Sequence, residues 1–471
     1  MRDPVIWWVR KDLRLSDNPA LAAALDAGGP VIPVFVLDEV FESYGAAPLW
    51  RFGLGVEEFA KSLDAAGSRL ICRRGSAAAV LLDVAAETGA RTVRWGRAYD
   101  APQVARDKAV KVALQKAGID GTSIAGGVLF EPWSVQTKAG AHFQVFSPYW
   151  RAVERIDVES TMPRPGRLPA PATWPTSEDV TGWGLSRPMR RGESVVVRHV
   201  TIGEDAARDR LASFAEKRMD DYGERRDYPA EAATSRISEH LAWGEISPAT
   251  CWRAAVRPAR EGSQGANSFL KELAWREFAY HLAWHTPWIL ERNWREGWDR
   301  FPWSMDDGTT EVRAWRQGRT GVRLVDAAMR ELYVTGYMHN RARMIVASFL
   351  TKHLVTHWRV GQRWFADCLV DWDPASNAMG WQWTAGCGPD AAPYFRIFNP
   401  DAQQKKFDGD GAYVRRWIAE GEANPSANAL SYFDAIPESW ALSPTDAYPE
   451  PVVNLAEGRA RALAAYRSRS F

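Results

Sequence analysis

The sequence predicts an α/β domain followed by an all-α domain, and three observations carry that prediction. Short apolar runs alternate with helix-forming stretches over about the first 130 residues. Five prolines (Pro163, Pro165, Pro169, Pro171, Pro175) then crowd into one segment, and from about residue 200 apolar residues recur at helical spacing. At 471 residues the chain is also too long for a single hydrophobic core.

Val5–Val9 and Val31–Leu37 are apolar runs of strand length, with the helix-forming stretch Asn18–Leu25 between them. Arg69–Cys72 and Thr92–Trp95 are shorter strand candidates, separated by the alanine-rich stretch Ser76–Thr88. Strand and helix in alternation imply βαβ units, hence a parallel, Rossmann-like sheet over residues 1–130. The turn after the first strand reads Arg10-Lys11-Asp12-Leu13-Arg14, without the glycine fingerprint, which argues against a dinucleotide held there in the Rossmann manner. Residues 131–199, with their proline cluster, are expected to link the two domains, because proline sustains neither a helix interior nor a central strand. Beyond residue 200, Leu270, Leu273, Ala274 and Phe278 fall on one helical face, as do Leu324, Ala327, Ala328 and Leu332. A helical domain over 200–471 follows.

Hydrophobic content of 46% with 25% charged residues describes a globular chain, not a disordered one. No long uncharged apolar run and no signal-peptide pattern is present, so the expectation is a cytoplasmic protein. Cys72, Cys251, Cys368 and Cys387 are scattered, without the close spacing of zinc or iron–sulfur ligands, and are expected to be reduced cysteines without a metal. A net charge of +1 leaves any nucleic-acid contact to a local basic patch. Most of the 24 tryptophans read as packing in a large, mostly helical core, and a chain of buried rings for electron transfer is a second reading of some of them.

Four segments carry chemistry. Thr234-Ser235-Arg236-Ile237-Ser238 sets hydroxyls and a cation at the start of a predicted helix, where Ser235 reads as a cap and the cluster as a phosphate site. Glu272, Trp275 and Arg276 share a helical face; alone they read as a surface Glu–Arg pair beside a packed ring. Asn340, Arg341 and Met344 lie on one side of another helix, with Arg343 angled to a neighbouring face; a buried arginine there needs a carboxylate. Asp371 supplies one, since Asp373 and Pro374 read as the N-cap and first residue of the next helix. That helix presents Asn377 with Trp381, and Met379 with Trp383, to different sides.

Val9–Asn18, Thr234–Ser238, Glu272–Phe278, Gly336–Arg341, Gly380–Trp383 and Asp390–Pro400 together resemble the photolyase/cryptochrome family, in family order and across nearly the whole chain. The resemblance implies an α/β domain followed by a helical FAD-binding domain. It also implies light-dependent repair of cyclobutane pyrimidine dimers (CPDs) in DNA by electron transfer from reduced anionic FAD. By analogy, Tyr222, Thr234, Ser235, Arg236 and Ser238 hold the FAD diphosphate region, and Arg343 and Asp371 pair beside the isoalloxazine. Asp373 would lie near the polar edge of that ring system, and Asn377 would face N5. Trp275 and Trp383 would wall a pocket for a flipped dimer, touched by Glu272, Asn340 and Met344, with Glu272 protonated through burial. Arg226, Arg341 and Arg396 would meet strand phosphates, and Trp381, Trp358 and Trp303 are similar to the relay that photoreduces the flavin.

Members of this family differ in their antenna chromophore. Ala98–Gln103 departs from the asparagine–glutamate pair of one folate-binding branch, and methenyltetrahydrofolate is the expected antenna. Asn377-Ala378-Met379-Gly380 departs from the asparagine- and glycine-rich version of another branch, which points to a different subclass of dimer photolyase. Two other readings stand beside CPD repair. A (6-4) photolyase relies on histidines where this chain has Asn340 and Met344; a cryptochrome signals through partners and often carries a long tail, whereas about 70 residues follow Pro400 here. A monomer acting on UV-damaged DNA, away from membranes, is the partner expectation.

Overall fold

The computed structural model of the chain describes residues 2–390 and 395–469. Five parallel strands, β1 (Val5–Val9), β2 (Val31–Leu37), β3 (Ile71–Arg74), β4 (Thr92–Gly96) and β5 (Asp120–Ile124), form a sheet in the order β3-β2-β1-β4-β5. β1 pairs with β2 along its whole length and with β4 over residues 5–8, and lies at the centre. Its alternate residues serve two cores: Ile6 and Trp8 face the helices Ala77–Thr88 and Ala101–Lys116, while Val5, Trp7 and Val9 face Pro19–Asp26 and Ala46–Ala65. Burial on both faces is why these strands read as continuous apolar runs instead of alternating ones. The α/β architecture followed by helices therefore matches the expectation, with β3 shifted two residues toward the C-terminus of the predicted segment. β5 was not among the predicted strands: Asp120-Gly121-Thr122-Ser123-Ile124 is an edge strand whose polar residues hide its period.

The proline-rich segment is laid against the α/β body. Leu168 is buried in the sheet's core, the Pro169 carbonyl accepts from Val31 N–H (2.7 Å), and the Met162 carbonyl accepts from Asp17 N–H (2.9 Å). Ahead of it, Phe146–Val153 forms a helix that packs on the long helix Gln264–His285. Residues 131–199 thus contain structure of their own, where the sequence reading expected a linker.

The turn after β1, which lacks the glycine fingerprint, docks on the helical part. The Arg14 guanidinium donates to the Gly244 carbonyl (3.0 Å). Gly244 has φ +69°, and a Cβ there would sit 2.0 Å from the Lys11 carbonyl oxygen, so glycine is required twice over. A second tie comes from Arg51, on helix Ala46–Ala65, which is fully buried. It donates to Glu239 (2.7 Å), to both oxygens of Glu245 (2.9 and 2.8 Å) and to the Thr201 carbonyl (3.0 Å). Burial alone would raise the Glu245 carboxyl, but Arg51 and His240 outweigh it and hold it down to about 2, from an ordinary 4.5. A depressed carboxylate stabilises the fold fully above its unfolded value and loses that contribution as pH falls through its folded one. Acid titration followed by circular dichroism should therefore show stability falling between about pH 4.5 and about pH 2, and Glu245→Gln should flatten that stretch of the curve.

All four cysteines are free, three of them buried. Among the described residues no helix is long and apolar enough to cross a membrane.

Candidate functional site

Three helices bring the predicted segments together. Pro374–Ala385 packs against both Gln264–His285 and Asn340–Ser348. Asp373 caps the first of these, accepting from Ser376 N–H at 2.7 Å, with Pro374 in the opening turn. The second Asp373 oxygen accepts the Tyr280 hydroxyl at 2.5 Å. Burial pushes this carboxyl up, yet Lys11, Arg276 and that hydroxyl outweigh it and keep it below the usual range. Lys11 belongs to the turn after β1, so the α/β domain sets part of the charge at the site.

Arg343 and Asp371 do form a pair: the guanidinium reaches the two carboxylate oxygens at 3.0 and 2.8 Å and also donates to the Met338 carbonyl (2.7 Å). Ser238 donates its hydroxyl to the same Asp371 (2.8 Å). Burial would lower the Arg343 pKa; Asp371 and Tyr337 reverse the shift and secure its charge.

Tyr222, Thr234, Ser235, Arg236, Ser238, Arg343, Asp371, Asp373 and Asn377 all line one cavity. Glu272, Asn340 and Arg226 line it too. Arg236 supplies the test of whether this cavity suits a dinucleotide. It stands at φ +51°, strained for a residue with a side chain, with its guanidinium 4.5 Å from the Tyr337 ring centroid. Its Nε and Nη2 are buried without any acceptor among the described residues. Buried cationic donors require an anion, and beside the Thr234 and Ser235 hydroxyls a diphosphate meets that requirement. Asn377, its amide nitrogen committed to the Asp373 carbonyl (3.0 Å), lies on the same wall. The residues fit FAD.

Met344, Trp275 and Trp383 lie outside this lining. Trp275 is stacked flat on Phe146, 3.6 Å between centroids, so one of its faces is covered by a ring that the sequence reading had not associated with it. The surface pair Glu272–Arg276 is corrected. Arg276 turns inward to Glu277 (2.7 Å) and the Gly127 carbonyl, whereas Glu272 is held by Arg226. The expected burial of Glu272 is absent as well: its side chain lines the cavity but is 32% exposed and ion-paired. Arg341 is paired with Asp227 (2.5 Å), and Arg396 is exposed. Of the motif Asp390–Pro400, residues 391–394 lie outside the described residues.

Trp381, Trp358 and Trp303 are all buried. The Trp381 ring lies on Gly361, one turn beyond Trp358 on the helix Trp358–Cys368, and His357 sits between Trp358 and Trp303, 5.4 and 5.3 Å from their centroids. A Cβ at Gly361 would fall 2.1 Å from the Trp381 ring. Gly361→Ala is therefore expected to displace that ring and to destabilise the protein by about 1–3 kcal/mol, read from the denaturant midpoint. At the predicted folate segment, Asp100 caps the helix Ala101–Lys116, with Gln103 as its partner, and Tyr99 donates to Glu131, so these side chains are engaged internally. Among the described residues no cluster of histidine, cysteine and carboxylate suits a metal ion.

The family model described as DNA photolyase matches residues 5–171, and the one described as the FAD binding domain of DNA photolyase matches residues 269–468. The chain is 45% identical over 468 residues to the deoxyribodipyrimidine photo-lyase of Agrobacterium fabrum, covering 98% of this chain and 97% of that one. It belongs to the photolyase/cryptochrome family. The branch is reached from both sides: Cryptochrome-2 of Arabidopsis thaliana is 34% identical over 95% of this chain and 73% of its own length. Among solved structures, a bacterial class III photolyase from Agrobacterium tumefaciens superposes with a TM-score of 0.90 at 44% identity, covering 99% of this chain and 98% of that one. A cryptochrome from Synechocystis superposes with a TM-score of 0.82 at 28% identity, over 99% of each.

Proposed function

We propose that this chain is a deoxyribodipyrimidine photo-lyase that repairs cyclobutane pyrimidine dimers in DNA under blue light. The observation that carries the reading is that one cavity gathers the nine cofactor-facing residues together with Glu272, Asn340 and Arg226. A pure electron carrier has no need of the last three. The 45% identical relative bears the photo-lyase name across its whole length, which supports the same reading.

What reduced FAD supplies when bound is a light-driven electron for the dimer, returned once the ring has opened. Everything else falls to the chain. Arg343, held charged by Asp371, stabilises a neighbouring anion in a site of low polarity. Arg236, Thr234 and Ser235 fix the diphosphate, and Asn377 orients the ring edge. A dimer is poorly stacked and weakly paired, so extruding it costs less than flipping a normal base. Trp275 and Trp383 then recover stacking energy of about 1–3 kcal/mol per base. Glu272 and Asn340 hydrogen-bond the base edges, while Arg226, Arg341 and Arg396 hold the backbone without reading sequence. Trp381, Trp358 and Trp303 pass electrons inward from the surface to restore the reduced cofactor. The protein works as a monomer in the cytoplasm, with a folate antenna on the α/β domain.

The test is a repair assay: photoreduced protein, a thymine-dimer oligonucleotide, blue light against a dark control, and restored thymine quantified. Light-dependent restoration is expected. Its absence in a sample shown to hold reduced FAD would sink the CPD reading, and a (6-4) lesion and a signalling partner would be tried in turn.

A further inference from the structure

Arg226, which lines the cavity, and Arg341, next in sequence to the lining residue Asn340, are both assigned to strand phosphates, and both already have carboxylate partners. Arg226 donates through Nη1 to Glu272, with its guanidinium 5.2 Å from the Tyr222 ring centroid. Arg341 donates to Asp227, the residue next to Arg226, and lies 4.5 Å from the Phe407 ring. The rings leave each guanidinium little freedom, yet the Arg226 side chain remains 21% exposed and the Arg341 side chain 16%, within reach of a ligand from solvent. A phosphate approaching Arg226 meets a cation neutralised by Glu272, and it repels the carboxylate that neutralises it. Phosphate and Glu272 therefore compete for one guanidinium. Glu272 also lines the cavity, so the same side chain has a second destination once it is displaced.

We propose that Glu272 gates Arg226: in DNA-free protein the ion pair closes the phosphate site, and a strand phosphate exchanges with the carboxylate, which turns into the cavity to meet the flipped base. The inference rests on the reading of Arg226 as a phosphate contact. It gives the pair a role in selectivity. Undamaged DNA must break the ion pair and gains nothing at Glu272, whereas a flipped lesion provides the carboxylate with a new hydrogen-bond partner. Arg226 is accordingly a positioning residue for Glu272 as well as a backbone contact.

The test uses the full-length, FAD-loaded protein in the dark, with dissociation constants for an undamaged single-stranded oligonucleotide measured across a salt series by fluorescence anisotropy. Glu272→Gln frees Arg226, so undamaged DNA is expected to bind severalfold more tightly, with the salt dependence steeper by about 0.7, the increment of one added phosphate contact on a single strand. The gain should vanish when Glu272→Gln is made in an Arg226→Ala background. Glu272→Asp, which keeps the charge but shortens the reach, should show part of the gain. With a dimer-containing strand, Glu272→Gln should lose preference for the lesion. An equal gain in both backgrounds would mean a general charge effect and overturn the gate, as would no gain in either variant. Retained FAD absorbance shows that each variant is folded. Wild-type repair under light is scored separately, so failure of the repair reading and failure of the gate appear in different measurements.

Discussion

Asp371→Ala is expected to purify with little or no FAD. The carboxylate is the only charged partner that Arg343 has among the described residues, and it also accepts the Ser238 hydroxyl, so one substitution disconnects two walls of the cavity. Removing one member of such a pair strands the other; where both are fully buried the cost is about 3–5 kcal/mol. Arg343 is partly exposed, which places the expected loss of stability toward the lower end of that range. The flavin-to-protein absorbance ratio and the thermal midpoint measure the two consequences independently. Asp371→Asn separates charge from hydrogen bonding. It keeps an acceptor for Ser238 while leaving Arg343 unneutralised, and is expected to hold FAD better than Asp371→Ala but less well than the unaltered protein. Full FAD retention in Asp371→Ala would show that the pair does not organise the flavin site.

Arg51→Met is expected to have the larger effect on stability. Arg51 is fully buried, and three of its four hydrogen bonds satisfy two carboxylates, Glu239 and Glu245, from the helical part of the chain, the fourth going to the Thr201 carbonyl. Methionine fills much of the volume but leaves both carboxylates buried, with only Arg210 beside Glu239 and His240 beside Glu245, an expected cost of about 3–5 kcal/mol. Glu239 lies in the first turn of the helix Ser238–Trp243 and Glu245 just beyond its end; the first residue of that helix bonds Asp371, so the damage should travel to the cavity and lower FAD content together with the denaturant midpoint. Adding Glu239→Gln and Glu245→Gln to Arg51→Met should restore part of the stability, because neutral amides tolerate burial that carboxylates do not. No recovery in the triple variant would mean that lost volume, not stranded charge, dominates.

Locally coded features were legible in the sequence. β1, β2 and β4 announce themselves because a strand covered on both faces must be apolar throughout, and the Asp373–Pro374 cap because its chemistry involves only neighbours in the chain. The residues that line the cavity were reached through motifs, each a short run whose spacing survives without knowledge of the fold. Less was legible wherever a partner comes from far along the chain. Nothing in the sequence joins Arg226 to Glu272 when Arg276 stands one helical turn away, and the fold makes the opposite choice by turning Arg276 inward to Glu277. Nor does anything local tie Phe146 to Trp275, Lys11 to Asp373, or Arg51 to Glu245. The proline-rich segment reads as a free linker because proline forbids regular structure, but only the packed molecule reveals that Leu168 anchors it to the sheet. The sequence by itself determined four of the five strands, the order of the α/β and helical parts, and the family to which the chain belongs. The tertiary structure decided which charges meet, because an ion pair depends on distance through space, and the separation of its members along the chain says almost nothing about that distance.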